Sequence, residues 1–584
     1  MKLAGLVTFL KKYKGPIMIF LVIMLAYNLN FRTVGANDSV PASLTPFSLL
    51  EYHTLTLDHF SAYYNMTVGS TYFFQPERGH ILSEYPIVLP LVITPLYVLP
   101  YVIMQAAGCS MTLPNPGFLL SIAWMEKISA SIIASLSVVF IYLSLRELTD
   151  KRISILCTLA YAIATNTWVI SSQDLWQQGM TELLLSIIIF LILINERKSD
   201  VKNVMLLGVM SGLLIFNRPS DSILILPAIA YVLSLKNNSL LNYIIPAAIV
   251  SLPFIGYNIY YFGSTFGGYS NMSSGFVING SVLTNFLGLL ISPSRGLFVY
   301  TPIALFAVAG FFYVKKIPND RIRVFLYASA LAVFLEIIVY SLYSGWWAGW
   351  SYGPRFLTCI LPLLIIFISL SLPKNIVLKA PRKKDAAVLS AFIVLLALSV
   401  CVQAIGAFCY NDNWDASPVS VDNSPARVWD IQDTQIIRSL DLGPAPMTLL
   451  DFSSDSIGDN DSIQLINFYN AELWGNISTQ WTPNISYIVY GSPDDRRANL
   501  TFKAFSFYEN RTMQVYLDDS LVHEQSIATI AEGGNLVAVP LDLHKGFNYI
   551  AIYSVEPGQS PQSVNNDTND TRVLCFALQD LRVQ

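Results

Sequence analysis

Long apolar runs separated by short polar segments dominate the chain as far as about residue 408. Runs of this kind are typical of helices that cross a bilayer, whose hydrocarbon core of ~30 Å needs about 20 apolar residues. The pattern predicts about eleven membrane spans, several of them short and therefore irregular or packed inside a bundle. The predicted spans are 16–34, 118–148, 153–171, 180–194, 204–216, 223–235, 240–262, 297–314, 324–342, 356–372 and 386–408.

One further apolar run, residues 85–104, contains four prolines. Each proline removes a backbone donor and disfavours a straight helix, so we predict that this run lies at the membrane surface or dips in and back. With that choice nearly every cluster of Lys and Arg falls on one side, which the positive-inside rule assigns to the cytoplasm. The N-terminus is then predicted to be cytoplasmic, and Asp38, just after the first span, extracytoplasmic.

After Tyr410 the long apolar runs stop, and apolar and polar residues begin to alternate. Alternation with β-branched and aromatic residues, interrupted by Asn, Asp and Gly, predicts an antiparallel β-sandwich. The clearest stretches are 487–490, 500–505, 513–517 and 549–553. The predicted organisation is a transmembrane module at 1–409 with an outer loop at 37–117, a connecting segment at 410–449 and an extracytoplasmic β-sandwich domain at 450–584.

Glycosylation sequons fall mainly on the segments predicted to be extracytoplasmic, as expected of a glycoprotein surface. They are Asn37, Asn65, Asn271, Asn279, Asn476, Asn484, Asn499, Asn510, Asn566 and Asn569. Asn237, on the predicted cytoplasmic side, is interpreted as an accidental match.

The composition agrees with an integral membrane protein: 53% of the 584 residues are hydrophobic, 13% are charged and the mean hydropathy is +0.50. Soluble proteins average about 25% charged residues. The net charge of −4 and the lack of a basic tract argue against nucleic acid as a partner. The six cysteines show neither zinc spacing nor a disulfide framework, although a Cys409–Cys575 bridge stays open.

Charged residues collect at the predicted outer ends of the spans, where isolated charges are costly. The set is Asp38, Glu84, Asp174 and Asp221 with Arg78, Arg218, Arg295 and Arg355. Arg355 ends an aromatic stretch, 345–355. The planar fork of arginine suits phosphate, and aromatic faces suit a sugar ring. The pattern fits transfer of a sugar from a membrane-borne phosphate, in which a carboxylate deprotonates the acceptor hydroxyl and cations stabilise the leaving phosphate.

Simpler interpretations stay open for single residues. Tryptophan and tyrosine form interface belts in membrane proteins generally, and arginine also anchors helix ends. By position alone, Asp38 fits equally a loop acid solvated by headgroup water. The histidines of the first loop, His53, His59 and His80, lack metal-ligand spacing and are interpreted as loop residues.

Together these features resemble the GT-C superfamily of multi-span glycosyltransferases, specifically its protein O-mannosyltransferase-like and aminoarabinose-transferase-like branch, family 39. The resemblance extends over the membrane part, to about residue 440, and includes segments similar to those of archaeal and bacterial members. The motifs that carry it are Asp38 just past the first span, Tyr85-Pro86 in a juxtamembrane segment, Asp174 after a later span, and the stretches 292–298 and 350–356.

This resemblance implies an inverting transfer from a polyprenyl-phosphate-linked sugar, such as a dolichyl-phosphate sugar, to an extracytoplasmic acceptor that is a protein, glycan or lipid. Asp38 would be the general base, and Asp174 would orient the substrate or a cation. Besides membrane lipids, the donor and the acceptor are the expected partners. The residues implied to bind substrate or lipid phosphate are Arg218, Arg295, Arg355, Asp174, Glu84, Tyr85, Trp350 and Tyr352.

Two departures from related patterns limit this expectation. Asn37 precedes Asp38, where protein O-mannosyltransferases usually carry a second acid, which leaves the acceptor class open. Trp346-Trp347 is followed by Ala348, unlike the Trp-Trp-Asp-Tyr-Gly motif of oligosaccharyltransferases. An oligosaccharyltransferase-like enzyme therefore stays an alternative only; no metal site is predicted, and a divalent metal is the open cofactor question.

A rival from another class is a transporter or flippase of a polyprenyl-linked glycan. Such a protein should carry charges at mid-membrane depth and an internal repeat. The acids and cations found here lie at span ends on one predicted side, which favours chemistry at the membrane surface.

Overall fold

The structure is a computed structural model that describes residues 13–32, 36–60, 72–106, 111, 116–235, 239–277, 281–373, 383–445, 463–466, 468–469, 472–474, 477–492, 494–517, 520–544, 546–564 and 572–584. The chain divides into two compact units, which are described separately. The first is Met1–Pro46, Ser83–Leu96 and Trp124–Pro446; the second is Phe47–Leu82, Tyr97–Ala123 and Met447–Gln584.

The helices are, in chain order, α1 Lys14–Asn28, α2 Val40–Tyr52, α3 Val88–Ala106, α4 Pro116–Leu148, α5 Lys151–Ile163, α6 Gln177–Arg197, α7 Val201–Asn217, α8 Leu226–Ser234, α9 Ser239–Phe262, α10 Val282–Ile291, α11 Leu297–Tyr300, α12 Leu305–Phe311, α13 Asp320–Ser341, α14 Leu361–Ser371, α15 Lys383–Cys409, α16 Asn413–Ala416, α17 Gln435–Leu442 and α18 Pro561–Val564. Short 3₁₀ and π turns join several of them.

Among the described helices, six are long and apolar enough to cross a membrane: α3, α4 over Ser121–Leu148, α6, α9, α13 and α15. Shorter apolar segments of 10–17 residues make up much of the rest of the helical unit. The prediction of a polytopic α-helical membrane protein is confirmed. The number of spans stays a prediction, because runs such as 297–314 are divided here into short helices.

The proline-rich run forms a continuous 19-residue helix, α3, so the expectation that its prolines would break it is wrong. Helices α1 and α4, which lie on either side of it in the sequence, run in opposite directions. The end of α1 meets the early part of α4, where Lys127 Nζ donates to Tyr27 O at 3.0 Å. The start of α1 lies beside the later part of α4, since a Cβ at Gly15 would be 3.9 Å from the Tyr142 hydroxyl oxygen. The two helices are therefore antiparallel, so the end of α1 and the start of α4 lie at the same end of the helical unit.

We name this the site end of the helical unit, the end at which α1 stops and residues 36–38 follow. The last long helix of the unit, α15, also reaches it. Asn30, just after α1, donates from Nδ2 to Ala407 O near the end of α15 at 2.9 Å. The chain turns that leave α1 and α15 thus start from the same place.

Helices α7 and α9 pack closely through two glycines spaced four residues apart. A Cβ at Gly208 would lie 2.1 Å from Tyr243 O, and one at Gly212 would lie 2.7 Å from Ala247 O. Both distances are shorter than a contact between unbonded atoms. In membranes, small residues at i and i+4 let helix backbones approach in this way, because dispersion contacts rather than water exclusion drive association.

We expect Gly208→Ala to destabilise the protein by about 1–3 kcal/mol, because the added methyl group forces α7 and α9 apart. Gly256→Ala on α9 is the matched control: its Cβ would meet no atom within 4 Å, so loss of glycine flexibility makes that change neutral or slightly stabilising. Thermal unfolding of the two variants in detergent checks this. Equal midpoints for both would show that the glycine contact is not tight.

The part of the second unit between residues 47 and 82 includes a hairpin of β1 Phe74–Glu77 and β2 His80–Ser83. Asp58 holds the start of β2: its Oδ2 lies 2.7 Å from His80 Nδ1, and its Oδ1 accepts from Ile81 N at 2.7 Å. His80, interpreted from the sequence as a loop residue, is instead the first residue of strand β2, where it contacts Asp58.

The C-terminal strands form two five-stranded antiparallel sheets, of order β10-β7-β12-β5-β4 and β3-β6-β11-β8-β9. Their bounds are β3 Ile463–Ile466, β4 Glu472–Trp474, β5 Ile477–Thr482, β6 Ile485–Ser492, β7 Arg496–Ser506, β8 Arg511–Leu517, β9 Ser520–Ile527, β10 Asn535–Leu543, β11 Gly546–Ser554 and β12 Phe576–Val583. Alternate residues of both sheets share one apolar core, including Phe502 and Val537 from the first and Val515 and Ile550 from the second. The predicted β-sandwich is confirmed, because period-two patterning buries one face of each strand.

One predicted sequon is wrong as a surface site. Asn484 is buried, and its Oδ1 accepts from Gly558 N at 2.7 Å. The thiol of Cys575 donates to the same oxygen, and Cys409 and Cys575 are both free thiols, so the open disulfide alternative is not formed. Asn65, Asn237, Asn279, Asn476, Asn566 and Asn569 lie outside the described residues.

Candidate active site

Asp38 and Arg355, separated by most of the helical unit in sequence, form an ion pair at the site end. Arg355 Nη1 donates to Asp38 Oδ2 at 2.7 Å. The guanidinium lies 3.8 Å from the centre of the Trp176 ring, a cation–π contact that fixes its plane. The Asp38 side chain is 19% exposed and the Arg355 side chain is 10% exposed, so the pair is largely buried but still accessible. Arg355 Nε is buried and has no hydrogen-bond partner, which leaves a donor for a second acceptor.

Arg355 is placed by the tight Gly-Pro turn in front of it. Gly353 has φ +73°, and a Cβ there would lie 2.4 Å from the Tyr300 ring, so only glycine fits. Its backbone N–H donates to Gln435 Oε1 at 2.9 Å. Arg355 then opens the 3₁₀ segment Arg355–Ile360, which leads into α14. The side chain therefore projects from the start of a buried helical segment rather than from a loose loop.

Asp38 lies in the 3₁₀ turn Asn37–Ser39, which leads into α2. Its neighbour Ser39 is buried and reaches two further acids, Glu126 and Asp174. Those two carboxyl groups lie next to each other. Burial first, and then the adjacent Glu126 carboxyl, raise the pKa of Asp174 well above its ordinary value. Asp174 is thus connected through Ser39 to the turn that carries Asp38.

Arg218 is buried, and the protein itself occupies its donors. Nε donates to the Tyr269 hydroxyl at 3.3 Å, and Nη1 contacts Asp221 Oδ2 at 3.4 Å and Cys359 Sγ at 3.3 Å. With its amide oxygen turned toward the guanidinium, Gln178 accepts from Nη1 at 3.0 Å and from Nη2 at 3.3 Å. Arg218 therefore stays near Arg355, since both lie 5.5 Å from the Phe356 ring, but it has little capacity for a phosphate.

The carboxylate that holds Arg218 belongs to a buried acidic pair. Tyr340 of α13 donates to Asp221 Oδ1 at 2.6 Å. Glu336, which also lies on α13, contacts Asp221 as well. Both acids are fully buried. Glu336 lies five residues before the end of α13, which is about 7–8 Å at the rise of an α-helix.

Arg295 has a structural role that differs from the expectation that it binds the lipid phosphate. Its side chain is 1% exposed. Its N–H groups donate to Trp347 O at 2.7 Å, Ser294 O at 2.8 Å, Gln435 Oε1 at 3.0 Å, Gly349 O at 2.9 Å and Asp415 Oδ1 at 2.6 Å. All five donors of the guanidinium are used. Arg295 joins the aromatic stretch 345–355 to the connecting segment, and no donor remains for a ligand.

The predicted aromatic residues divide between core and surface. Tyr352 is buried, donates to Val402 O at 2.9 Å and packs 5.0 Å from the Tyr300 ring, so it supports the Gly353 turn instead of facing a substrate. Trp350 is 44% exposed. Tyr352 is therefore a core residue of the stretch, and Trp350 is its most exposed aromatic residue.

Glu84 and Tyr85 pack against the 3₁₀ segment Gly267–Gly275. A Cβ at Gly268 would lie 2.6 Å from Glu84 O, and the Tyr85 ring lies 6.4 Å from the Tyr269 ring. Tyr269 in turn accepts from Arg218. The structure therefore brings the Tyr-Pro-led segment beside Arg218, as part of the same end of the unit as Asp38.

Sequence reasoning assigned no role to Trp176, Tyr343, Arg32 or Lys127. Tyr343 lies just before the aromatic stretch, with its ring 5.8 Å from Phe356. Burial raises its pKa, and the charges of Arg355 and Asp38 reach it. A usable signal existed for Trp176, which follows Asp174 by two residues, whereas Tyr343 could not be separated from interface tyrosines by sequence.

The described residues contain no group of three or more His, Cys, Asp or Glu that could hold a metal ion. The carboxylates at the site end contact arginine, tyrosine and each other.

One segment of the chain matches the sequence model of a known protein family. Residues 122–261 match the sequence model of the dolichyl-phosphate-mannose-protein mannosyltransferase family. This match confirms the predicted resemblance to GT-C membrane glycosyltransferases over a segment that begins in α4 and ends in α9. No curated protein sequence matches the chain.

Solved structures of ArnT from Cupriavidus metallidurans are among the similar folds. The apo structure aligns with 12% identity and a TM-score of 0.39, covering 70% of this chain and 75% of ArnT. The structure of the same protein bound to undecaprenyl phosphate aligns with 12% identity and a TM-score of 0.39, covering 68% and 75%.

Proposed function

We propose that this protein is an inverting glycosyltransferase that moves a sugar from a polyprenyl-phosphate-linked donor to an extracytoplasmic acceptor. Asp38 is the general base, and Arg355 is its partner. Asp174 with Glu126, Tyr343 and Trp176 complete the surroundings of the base. The family match over residues 122–261 supports transfer of this general type, and the sugar and acceptor are left to experiment.

The chemistry is a single displacement. Asp38 takes the proton of the acceptor hydroxyl while the hydroxyl oxygen attacks the anomeric carbon. The bond from that carbon to the phosphate oxygen breaks, and the polyprenyl phosphate leaves with the electron pair. One displacement inverts the anomeric configuration. Asp38 accepts the proton as a carboxylate, and the unpartnered Nε–H of Arg355 can donate to a phosphate oxygen.

The observation that carries this proposal is the Asp38–Arg355 pair stacked on Trp176. It combines a sheltered carboxylate, an oriented cation with a spare donor and an aromatic face, all at one end of a membrane-helix unit. Arg218 and Arg295 are not assigned to the phosphate, because the protein uses their donors.

The position of the buried acids argues against the transporter alternative. Glu182 lies five residues after the start of α6, and Glu336 lies five residues before the end of α13. Both are about 7–8 Å from those helix ends, which are the ends next to Trp176 and Tyr343. A transport path would place charges near mid-membrane. These two acids instead lie close to the helix ends that carry the site.

The test is an assay of the full-length protein in liposomes with a panel of short-chain polyprenyl-phosphate hexoses and pentoses. We expect one donor to yield free polyprenyl phosphate and a transferred or hydrolysed sugar, with inverted configuration at the anomeric carbon. An exposed ion pair of the β-sandwich, Arg497–Asp542, offers control variants for every later comparison. Translocation of an intact donor without release of polyprenyl phosphate would contradict the proposal and favour the flippase.

A further inference from the structure

Arg32 is a buried arginine with hydrogen-bond donors that have no partner. The residue is 8% exposed, and Nη2 donates to Tyr410 O at 2.7 Å. Its Nε and Nη1 are buried without a hydrogen-bond partner. Leaving buried donors of a charged group unsatisfied costs free energy, so a ligand that accepts from them is stabilised there.

Among the buried arginine nitrogens of the described residues, those without a partner occur only on Arg32 and Arg355. The protein satisfies the donors of Arg218 and Arg295. Arg32 and Arg355 differ from them because they keep donors that a ligand can use. One of them, Arg355, is already placed next to the base.

A second buried cation strengthens the positive charge at Arg32. Lys127 is 1% exposed, and its ammonium group donates to Tyr27 O at 3.0 Å, to Asn30 Oδ1 at 3.3 Å and to Gln173 Oε1. All three acceptors are neutral oxygens. The charges of Arg32 and Lys127 are close enough to repel each other.

The nearby carboxyl groups only partly compensate this charge. Asp412 is the acid that acts on Arg32, and Asp174 acts on Lys127. Burial and the adjacent Glu126 carboxyl raise the pKa of Asp174, which disfavours its negative charge.

Arg32 and Arg355 are joined by aromatic packing. Arg32 holds the backbone of Tyr410, Tyr410 shares an apolar cluster with Trp176, and Trp176 lies under the Arg355 guanidinium. A single displacement places base and leaving group on opposite faces of the sugar, so the phosphate needs donors beyond the residue that contacts the base. Arg32, which contacts this cluster through Tyr410, has two donor nitrogens without a partner.

We propose that Arg32 is an anion-binding residue of the site, which binds a phosphate oxygen of the substrate through Nε and Nη1. The role of this phosphate in the reaction rests on the proposed function. The binding of a phosphate at Arg32 does not. The phosphate belongs either to the lipid donor or to a water-borne group such as a phosphorylated acceptor, and one experiment separates the two.

The experiment measures binding, not transfer, by the full-length protein in nanodiscs. The probes are a short-chain polyprenyl phosphate, the matching polyprenol, and inorganic phosphate as a competitor. The variants are Arg32→Gln, Arg32→Lys and the exposed control Arg497→Gln, each compared with wild type for its thermal midpoint.

We expect Arg32→Gln to weaken binding of the polyprenyl phosphate by about 10- to 100-fold, with no change for the polyprenol, because a charge-assisted donor pair is lost. Arg32→Lys should lose less, since it keeps the charge but not the fork. The Arg497→Gln control should bind as wild type does. Loss of inorganic phosphate binding alone would support the site with a water-borne phosphate as its ligand.

Unchanged affinity of folded Arg32→Gln for both phosphate probes would overturn the proposal and leave Arg32 as a structural contact to Tyr410. If Arg32→Gln does not fold, Arg32→Lys decides: a loss of at least about 5-fold supports the site, and affinity within twofold of wild type overturns it. A wild-type protein that binds polyprenyl phosphate but transfers no sugar would contradict the proposed function and leave this site intact.

Discussion

Asp38→Asn is expected to lower sugar transfer by at least ~10²-fold, because the amide cannot accept the proton of the acceptor hydroxyl. The substitution is nearly isosteric, and an amide oxygen can still accept from Arg355 Nη1. Donor affinity should therefore stay within about threefold of wild type, with the loss in kcat. Initial rates over a range of donor concentrations, with the full-length protein in liposomes, measure both quantities.

The matched control for this prediction is Asp542→Asn, which removes a carboxylate that is 78% exposed and paired with an arginine. It should leave transfer unchanged, since exposed ion pairs contribute little. Thermal midpoints show whether either change affects folding. A folded Asp38→Asn protein with a rate within threefold of wild type would make Asp38 an ordinary loop acid and remove the base from the proposal.

Arg355→Gln is expected to reduce transfer by ~10²-fold or more, because it removes the cation that orients Asp38 and a donor for the phosphate. Arg355→Lys should be less severe, at about 10-fold, because lysine keeps the charge but neither the planar fork nor the stacking on Trp176. Transfer rates and polyprenyl-phosphate affinity are measured together. Arg497→Gln, on an arginine that is 91% exposed, is the control and should match wild type.

The double variant Asp38→Asn with Arg355→Gln separates the two roles of Arg355. If Arg355 only orients the base, the double variant should be no slower than Asp38→Asn and should bind the donor equally well. We expect instead an additional loss of donor affinity, because Nε is then missing from the phosphate. Donor affinity equal to that of Asp38→Asn would restrict Arg355 to orienting the base.

Hydrophobic periodicity alone determined the main architecture of this protein. Apolar runs predicted a polytopic helical membrane part, and alternation predicted the C-terminal sandwich, because both patterns follow from side-chain direction within one element. Prolines gave a wrong prediction for α3, where a continuous 19-residue helix forms. Local propensity was overridden there, as often happens when an apolar helix can be buried or lie against lipid.

The site was only half accessible to sequence reasoning. Asp38 and Arg355 could be chosen separately, from residue type and position at span ends, but their contact joins residues 317 apart and depends on how α1 and the segment before α14 pack. The sequence also could not indicate which of the arginines keeps a donor that a ligand can use. Arg295 and Arg218 look like Arg355 in short Pro- or Gly-containing turns, yet the fold gives their donors to Gln435, Asp415 and Asp221.

The sequence by itself therefore determined the class of protein, the kinds of element and a set of candidate side chains at the predicted span ends. Only the tertiary structure decided which of those side chains meet and which keep an unpaired donor. The physical reason is that periodicity and charge act over one or two turns, whereas the hydrogen bonds that use or spare an arginine come from residues distant in sequence. Arg32, which no motif singled out, is distinguished by the donors that the fold leaves without a partner.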